Sequence, residues 1–303
     1  MKPASIVFLA VSVLLIIGGL ITCSSAKKAA AKEGVMLFPE YKDGQSRMTT
    51  EFTSDDVTMI DITVDEANVS IIGGAEKSYI EIINYKTNYY TFSKTSRCLS
   101  FSEIPDLMSM LKFWESGFSF TGIRNLIYVA KAELGEKQVN VYISDNDPVK
   151  RICVNVASGE LTVKNIPFNA SYSLEIGSGK LKVSSVKTDD SVTIKSGSKS
   201  EVTLEGVTPA TITAELKNTT FTSDAKTFAQ SYTVTAESGS ITMTTDLDKT
   251  NYNISSKSGK INIWGEEKAS PQAAFVDETT EYAFKLTVSA GAGDVNILLP
   301  YQY

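Results

Sequence analysis

"IGSGKLKV", residues 176–183, is a Gly-Ser turn between two short runs in which apolar and polar residues alternate. It recurs as "VASGELTV" at 156–163, "AESGSITM" at 236–243 and "SKSGKINI" at 256–263. The turn glycines are Gly159, Gly179, Gly197, Gly239 and Gly259, with Asn218 in the one vacant slot, so the intervals are 20, 18, 21, 21 and 20 residues. Asn is the next-best residue for a positive φ, which makes it the expected stand-in. A fixed period near ~20 residues is the mark of a solenoid, in which equivalent corners lie above one another.

Each unit carries two alternating pieces. Before the turns stand Ile152/Val154/Val156, Leu174/Ile176, Val192/Ile194, Ile212/Leu216, Tyr232/Val234 and Ile254. After them stand Leu161/Val163, Leu181/Val183, Val202/Leu204, Phe221, Ile241/Met243 and Ile261/Ile263. Period two puts each set on one face of a strand. Ile166, Val186 and Val207 add an apolar residue at a second corner. One such unit cannot bury its apolar face alone, whereas stacked coils share a core. A β-sandwich also has short strands and frequent turns. It does not need the same dipeptide at the same place in every second strand.

The expected fold is therefore all-β: a single-stranded β-helix or solenoid of ~20-residue coils, with one N-terminal transmembrane helix and a short helical insert. Residues 1–34 read as a membrane anchor and spacer, and 35–303 as the solenoid domain. Within it, the first coils occupy 55–100, where Val57/Met59, Ile62/Val64, Val69/Ile71 and Ile80/Ile82 alternate and Gly73-Gly74 turn. A helical, aromatic insert follows at 101–122. Ser102 is a possible cap, Ile104, Leu107, Met108 and Leu111 fall at helical spacing, and Phe113, Trp114, Phe118 and Phe120 cluster. The insert reads either as a cap over the rod's end or as an element lying in a membrane interface. Regular coils run over 139–264, an off-period segment at 265–281 reads as a protruding loop, and the last coil is 282–300. Seven coils at ~4.8 Å each make a rod of ~34 Å.

Residues 4–23, "ASIVFLAVSVLLIIGGLITC", carry no charge, and twenty residues of helix span ~30 Å, the thickness of a bilayer's hydrocarbon. An uncleaved signal-anchor fits this length. A cleaved signal peptide, with Ser24-Ser25-Ala26 at the cut, and a lipoprotein signal ending in "LITC" are the alternatives. Lys27, Lys28 and Lys32 after the segment, against Lys2 before it, would hold the following domain inside. The plan of an anchor ahead of a Ser/Thr-rich β-domain is that of a cell-surface protein, so the main domain is expected outside the cell membrane.

Composition excludes several classes. The net charge is −6, from 29 basic and 35 acidic residues, so there is no basic excess for nucleic acid. There is no His, which removes the commonest general base, the Ser-His and Cys-His pairs and imidazole metal sites. Arg47, Arg97, Arg124 and Arg151 are scattered, and no calcium-binding "GGxGxD" run occurs. Cys98 and Cys153 in the main body are either one disulfide or two small buried hydrophobes. Asp189-Asp190 and the pair Asp246 and Asp248 are the carboxylates a polysaccharide-cleaving β-helix would use, and are also ordinary turn residues. No catalytic, cofactor-binding or metal-ligating residue is assigned.

"VNVYISDNDPVKRICVNVASGELTVKNI" at 139–166, the repeated Ser-Gly turns, and the closing "SAGAGDVNILLP" at 289–300 resemble the putative-adhesin family of bacterial proteins. The resemblance covers roughly 55–303. It implies a β-solenoid tethered to the envelope by one N-terminal helix, and it supplies no catalytic residues. The expected function is a non-enzymatic, membrane-anchored envelope module for binding or scaffolding, whose partners are the membrane and envelope polysaccharide or protein, not nucleic acid. The alternatives are a cytoplasm-facing regulator of envelope stress and a carbohydrate-active β-helix enzyme.

Overall fold

The chain forms two compact units, Met1–Asp43 and Gly44–Tyr303. The computed structural model describes residues 47–85, 90–104, 135–247, 250–274 and 284–300, all in the second unit. The expected transmembrane helix at 4–23 and all but the start of the insert at 101–122 lie outside the described residues.

Among the described residues, nineteen strands make one continuous sheet folded back on itself. The repeat is visible in β8 (Arg151–Ile166), β9 (Ser171–Lys187), β12 (Thr211–Ser223) and β13 (Ser231–Thr244), each of which bends at its Ser-Gly or Asn-Thr corner into two legs. In other rungs the corner breaks the strand, giving β10 (Ser191–Ser196) with β11 (Ser200–Thr208), β14 (Thr250–Ser256) with β15 (Ile261–Ile263), and β18 (Phe284–Ala292) with β19 (Val295–Leu298). Neighbouring rungs pair in parallel, residue on residue: Leu161 with Leu181, Val192 with Ile212, Tyr232 with Leu286. Every inward residue named above for 152–263 is buried, in one core cluster shared by both legs. The structure is a β-solenoid.

The corner explains the Ser-Gly pair. The hydroxyls of Ser178, Ser238 and Ser258 donate to the carbonyls of Ala157, Lys217 and Gly291 on the adjacent rung, at 3.4–3.5 Å. The following glycine lies so close to the rung beside it that a Cβ has no room. At Gly179 it would run into the carbonyl oxygen of Gly159, and at Gly239 into that of Thr219. Two expectations are corrected here. Asn218 does not take a positive φ; it pairs with Ser238, and Thr219 holds the glycine slot. Gly197 lies over Gly177, not Gly179, while Lys199 takes the left-handed conformation (φ 61°) and Ser200 pairs with Gly179. The short 18-residue interval registers that shift. At the second corner Asn165, Ser185 and Gly206 are left-handed (φ 57°, 53° and 63°), which turns Ile166, Val186 and Val207 inward.

The stacking order is not the chain order. β2 (Met59–Glu66) and β3 (Asn68–Ala75) form a rung that pairs with β8 on one side. On its other side lie β6 (Cys98–Glu103) and β7 (Gln138–Ser144), which come later in the chain. At the opposite end the C-terminal rung β18/β19 is inserted between β13 and β14/β15. Each terminal rung is thus second from its end, and the coil at 282–300 is not the last in space. Nine rungs are present among the described residues, a height of about 38 Å.

Short antiparallel strands close the stack. β1 (Arg47–Glu51) and β4 (Tyr79–Ile83) lie beyond β7, and β5 (Tyr90–Thr95) lies beyond β6. At the other end β16 (Glu266–Lys268) and β17 (Gln272–Ala274) cover β15 and β14. The described part of 265–281 is therefore laid along the last rung, where it satisfies an edge that would otherwise invite association. Phe101–Glu103 continue β6 with Phe101 in the core, so the helix expected from residue 102 does not begin there. Met59 points outward and Ile60 takes the inward place.

Gly74 and Gly179 separate the two reasons for glycine. Both have positive φ, 77° and 110°, but a Cβ at Gly74 meets open space. Gly74→Ala is expected to cost about 1–2 kcal/mol from backbone strain alone. Gly179→Ala carries the clash as well and should exceed that by at least about 1 kcal/mol. Urea-unfolding midpoints measure both, and equal losses would rule out close packing at the corner.

Candidate functional site

The outward residues fall into rows that run along the stack. On the face of the first legs, Ser173, Thr193, Thr213, Thr233 and Thr287 stand in register on five rungs, beside Ser191, Thr211 and Ser231. On the opposite face Thr203, Thr222 and Thr242 continue into Asn296 and Asn262, whose side-chain amides bond at 2.9 Å. Rows of this kind follow from period-two alternation and in-register pairing. Adjacent rungs place hydroxyls ~4.8 Å apart, and alternate residues of a strand ~6.7 Å apart. Threonine suits a strand because its branched Cβ restricts χ1, so the hydroxyls are held in few orientations. Charges bordering these rows pair with each other, Lys195 with Glu215 at 3.1 Å and Lys182 with Glu205 at 2.9 Å. Both pairs are exposed and contribute little to stability. Within each pair the two charges cancel, and the hydroxyl row itself carries none.

The carboxylates singled out in the sequence are not brought together. Asp189 accepts from the Asn169 amide at 3.0 Å, and Asp190 from the Ser191 backbone N–H at 2.8 Å, so both brace a corner. Asp246 sits about three rungs away along the stack, at the connection after β13. That is ~14 Å, wider than the ~5–9.5 Å between paired carboxyls of glycoside-cleaving sites. Asp248 lies outside the described residues. Among the described residues no group of Cys, Asp and Glu is arranged to hold a metal ion.

One charged cluster is well buried, and no sequence motif announced it. Glu103, at the end of β6, has a side chain only 5% exposed. It receives Lys137 Nζ at 2.5 Å on one oxygen. The other accepts the backbone N–H groups of Asp65 and Glu66 at 2.8 and 3.3 Å, and the Tyr85 hydroxyl at 3.5 Å. Burial, and after it the Glu103 charge, push the Tyr85 phenol far above its ordinary value. Tyr85, Tyr90 and Phe101 pack ring on ring beside it. Glu103 ends β6 and Lys137 directly precedes β7, so the pair clips the end of one strand to the start of the other.

Cys98 and Cys153 are unpaired and half-buried on the outer face, neither bridged nor in the core. β2 lies between their strands and they stand opposite Met59 and Asp61 of it, which puts them more than ~9.6 Å apart, beyond the ~7 Å Cα reach of a disulfide. Burial and then Asp61 push both thiols up.

A cavity of about 350 Å³ opens at the second corner, between the connection after β12, the connection after β13 and the start of β18. Phe228, Ala229, Tyr232, Met243, Phe284 and Leu286 supply its apolar wall.

The described residues define an all-β solenoid with neutral hydroxyl faces, closed ends and one apolar corner cavity. The chain belongs to the Toastrack DUF4097 family, whose model matches residues 46–298. No curated protein matches it in sequence. Among solved structures it is similar to a putative adhesin from Bacteroides fragilis, with 12% identity, 84% of this chain and 97% of that one covered, and a TM-score of 0.46. It is also similar to a putative lipid binding protein from Parabacteroides distasonis, at 11% identity, 84% and 97% coverage, and a TM-score of 0.38. A putative cell adhesion protein from Clostridium sporogenes aligns at 10% identity, 84% and 99% coverage, and a TM-score of 0.34.

The thiols give a direct check on the outer face. Because burial and Asp61 raise both, the reactive thiolate is scarce at pH 7.5. Iodoacetamide should modify Cys98 and Cys153 more slowly in the native chain than in urea, with native rates climbing above the ordinary thiol range. Peptide mapping should recover no Cys98–Cys153 bridge.

Proposed function

We propose that this chain is a non-enzymatic, membrane-anchored module of the bacterial cell envelope that binds polysaccharide through the first-leg hydroxyl face. The observation that carries this reading is the neutral, in-register row Ser173, Thr193, Thr213, Thr233 and Thr287 on a rigid stack. Hydroxyls both donate and accept, so a repeating row of them suits a partner that is itself an uncharged repeat of hydroxyls. Rigidity lowers the ordering cost of such a contact, since strand-held threonines surrender little freedom. The apolar segment 4–23 supplies the tether, and the solenoid domain stands outside the membrane. The separation of Asp189-Asp190 from Asp246 argues against the polysaccharide-cleaving alternative.

The lysines Lys27, Lys28 and Lys32 favour a second reading, a domain facing the cytoplasm as a regulator of envelope stress. A reporter fused after Tyr303 distinguishes the two by its side of the membrane.

Co-sedimentation of the purified full chain with isolated cell-wall polysaccharide tests the contact. The triple variant Thr193→Glu, Thr213→Glu, Thr233→Glu should lose binding at least about tenfold, because it leaves unpaired carboxylates in the contact. The matching variant Thr203→Glu, Thr222→Glu, Thr242→Glu on the opposite face should bind as the unaltered chain does. Equal binding by both variants, or none by the unaltered chain, rejects the proposal.

A further inference from the structure

The first-leg face is two hydroxyl columns wide and finite in length. Ser171, Ser191, Thr211 and Ser231 form one column, beside Ser173, Thr193, Thr213, Thr233 and Thr287 in the other. The first column meets Arg151 next to Ser171 and Lys285 next to Ser231. Further along the legs stand Glu175, Lys195 and Glu215, so charge closes that flank. The other flank is the second corner, where Asp189 and Asp190 are already bonded to Asn169 and Ser191. What remains is a neutral strip, narrow across the legs and five rungs long at Thr287. A neutral chain that leaves the bordering charges hydrated therefore lies along the stack, not across it. The opposite face has no such strip, since Thr203 stands between Glu201 and Glu205 on its own strand.

The two columns differ in what they have free. Ser171 donates to the Lys150 carbonyl at 3.4 Å, and Ser191 to the Asp190 carboxylate at 3.4 Å, which leaves their oxygens as acceptors. The hydroxyls of the second column bond no other described residue, so each can donate as well as accept. Along the stack this pattern repeats every ~4.8 Å. A partner keeps register with it only if it is straight and its own repeat has about that length. Among neutral hydroxylated chains, β-1,4-linked pyranoses meet both conditions. Their ribbon is extended, and one sugar is about as long as a rung is tall. α-1,4-linked chains coil and leave the strip after a residue or two. Sugars with all substituents equatorial match the strip across its width as well. Their hydroxyls project from the two edges of the ribbon, and their ring faces carry only C–H. Threonine offers the same two surfaces, a hydroxyl and a methyl on one Cβ, with χ1 restricted by its branching.

We infer that the strip binds an extended, neutral β-1,4-linked glycan of all-equatorial pyranoses, lying along the stack with one sugar on each rung. The inference rests on the polysaccharide reading above and adds to it the linkage, the direction and the length of the bound stretch.

Cellohexaose and maltohexaose are the probes, since they share composition and hydroxyl count and differ only in linkage. In NMR titrations of the purified full chain, cellohexaose should bind at least about tenfold more tightly. Affinity should climb from cellobiose to cellopentaose and then level, because the strip runs out at Thr287. Thr213→Val keeps shape and strand propensity but removes a hydroxyl at the centre, and should weaken cellohexaose about three- to tenfold. Thr222→Val, on the opposite face, should leave it unchanged. Thermal melts of both variants check that the fold is kept. Equal binding of the two hexaoses, no rise with length, or equal affinities of the two valine variants overturns the inference. Co-sedimentation with wall polysaccharide that is lost on Thr193→Glu, Thr213→Glu, Thr233→Glu, with neither hexaose bound, overturns the inference and leaves the polysaccharide reading standing. No co-sedimentation by the unaltered chain overturns that reading, and the inference with it.

Discussion

Everything in this solenoid depends on how closely one backbone corner can lie against the next. Rungs hydrogen-bonded along both legs are held at the sheet spacing, and the bend between the legs must keep to it. At the Ser-Gly corner this brings the glycine Cα against a carbonyl oxygen of the adjacent rung, at Gly179 on Gly159 and at Gly239 on Thr219. A side chain there would wedge the rungs apart and break the pairing on both legs. The preceding serine then bridges to a neighbouring carbonyl. Where glycine is missing, Thr219 turns its side chain inward, and its hydroxyl bonds Ser196 Oγ at 2.6 Å inside the core.

The same spacing produces the outer faces. Once corners are stacked, every outward position becomes a row, and its chemistry is whatever residue type recurs there. Thr and Ser recur on the first-leg face, where strand propensity and solubility both favour them. The rows therefore require no separate binding motif.

The inward set was legible because burial of one strand face imposes period two on the sequence itself; Ile152 through Ile263 all went where alternation put them. The order of rungs was not legible. One alternating strand pairs with any other of matching pattern, so nothing local in residues 284–298 records that they sit between β13 and β14. The Glu103–Lys137 clip was hidden for a related reason, since its members are 34 residues apart and belong to no repeat. The corner at Gly197 shows a partial failure: its glycine was visible, but its register, one column off, depended on Lys199 taking a left-handed turn. The cavity was invisible because its wall is gathered from three separate places, the connections after β12 and β13 and the start of β18, and follows no residue pattern.

The inserted terminal rungs impose an order on biosynthesis. The segment 250–274 docks onto the stack through β18/β19, the last stretch of the described chain to be made. At the other end, β6 and β7 dock through the rung at 59–75. A ribosome thus releases the strands of the far end before the rung that will seat them exists, so β14 and β15 have only their antiparallel partners β17 and β16 until β18/β19 threads in. Contacts formed this late and this far apart in sequence make for slow assembly. Once seated, the rungs β2/β3 and β18/β19 are each held on both sides, so neither can leave before the strands beyond it.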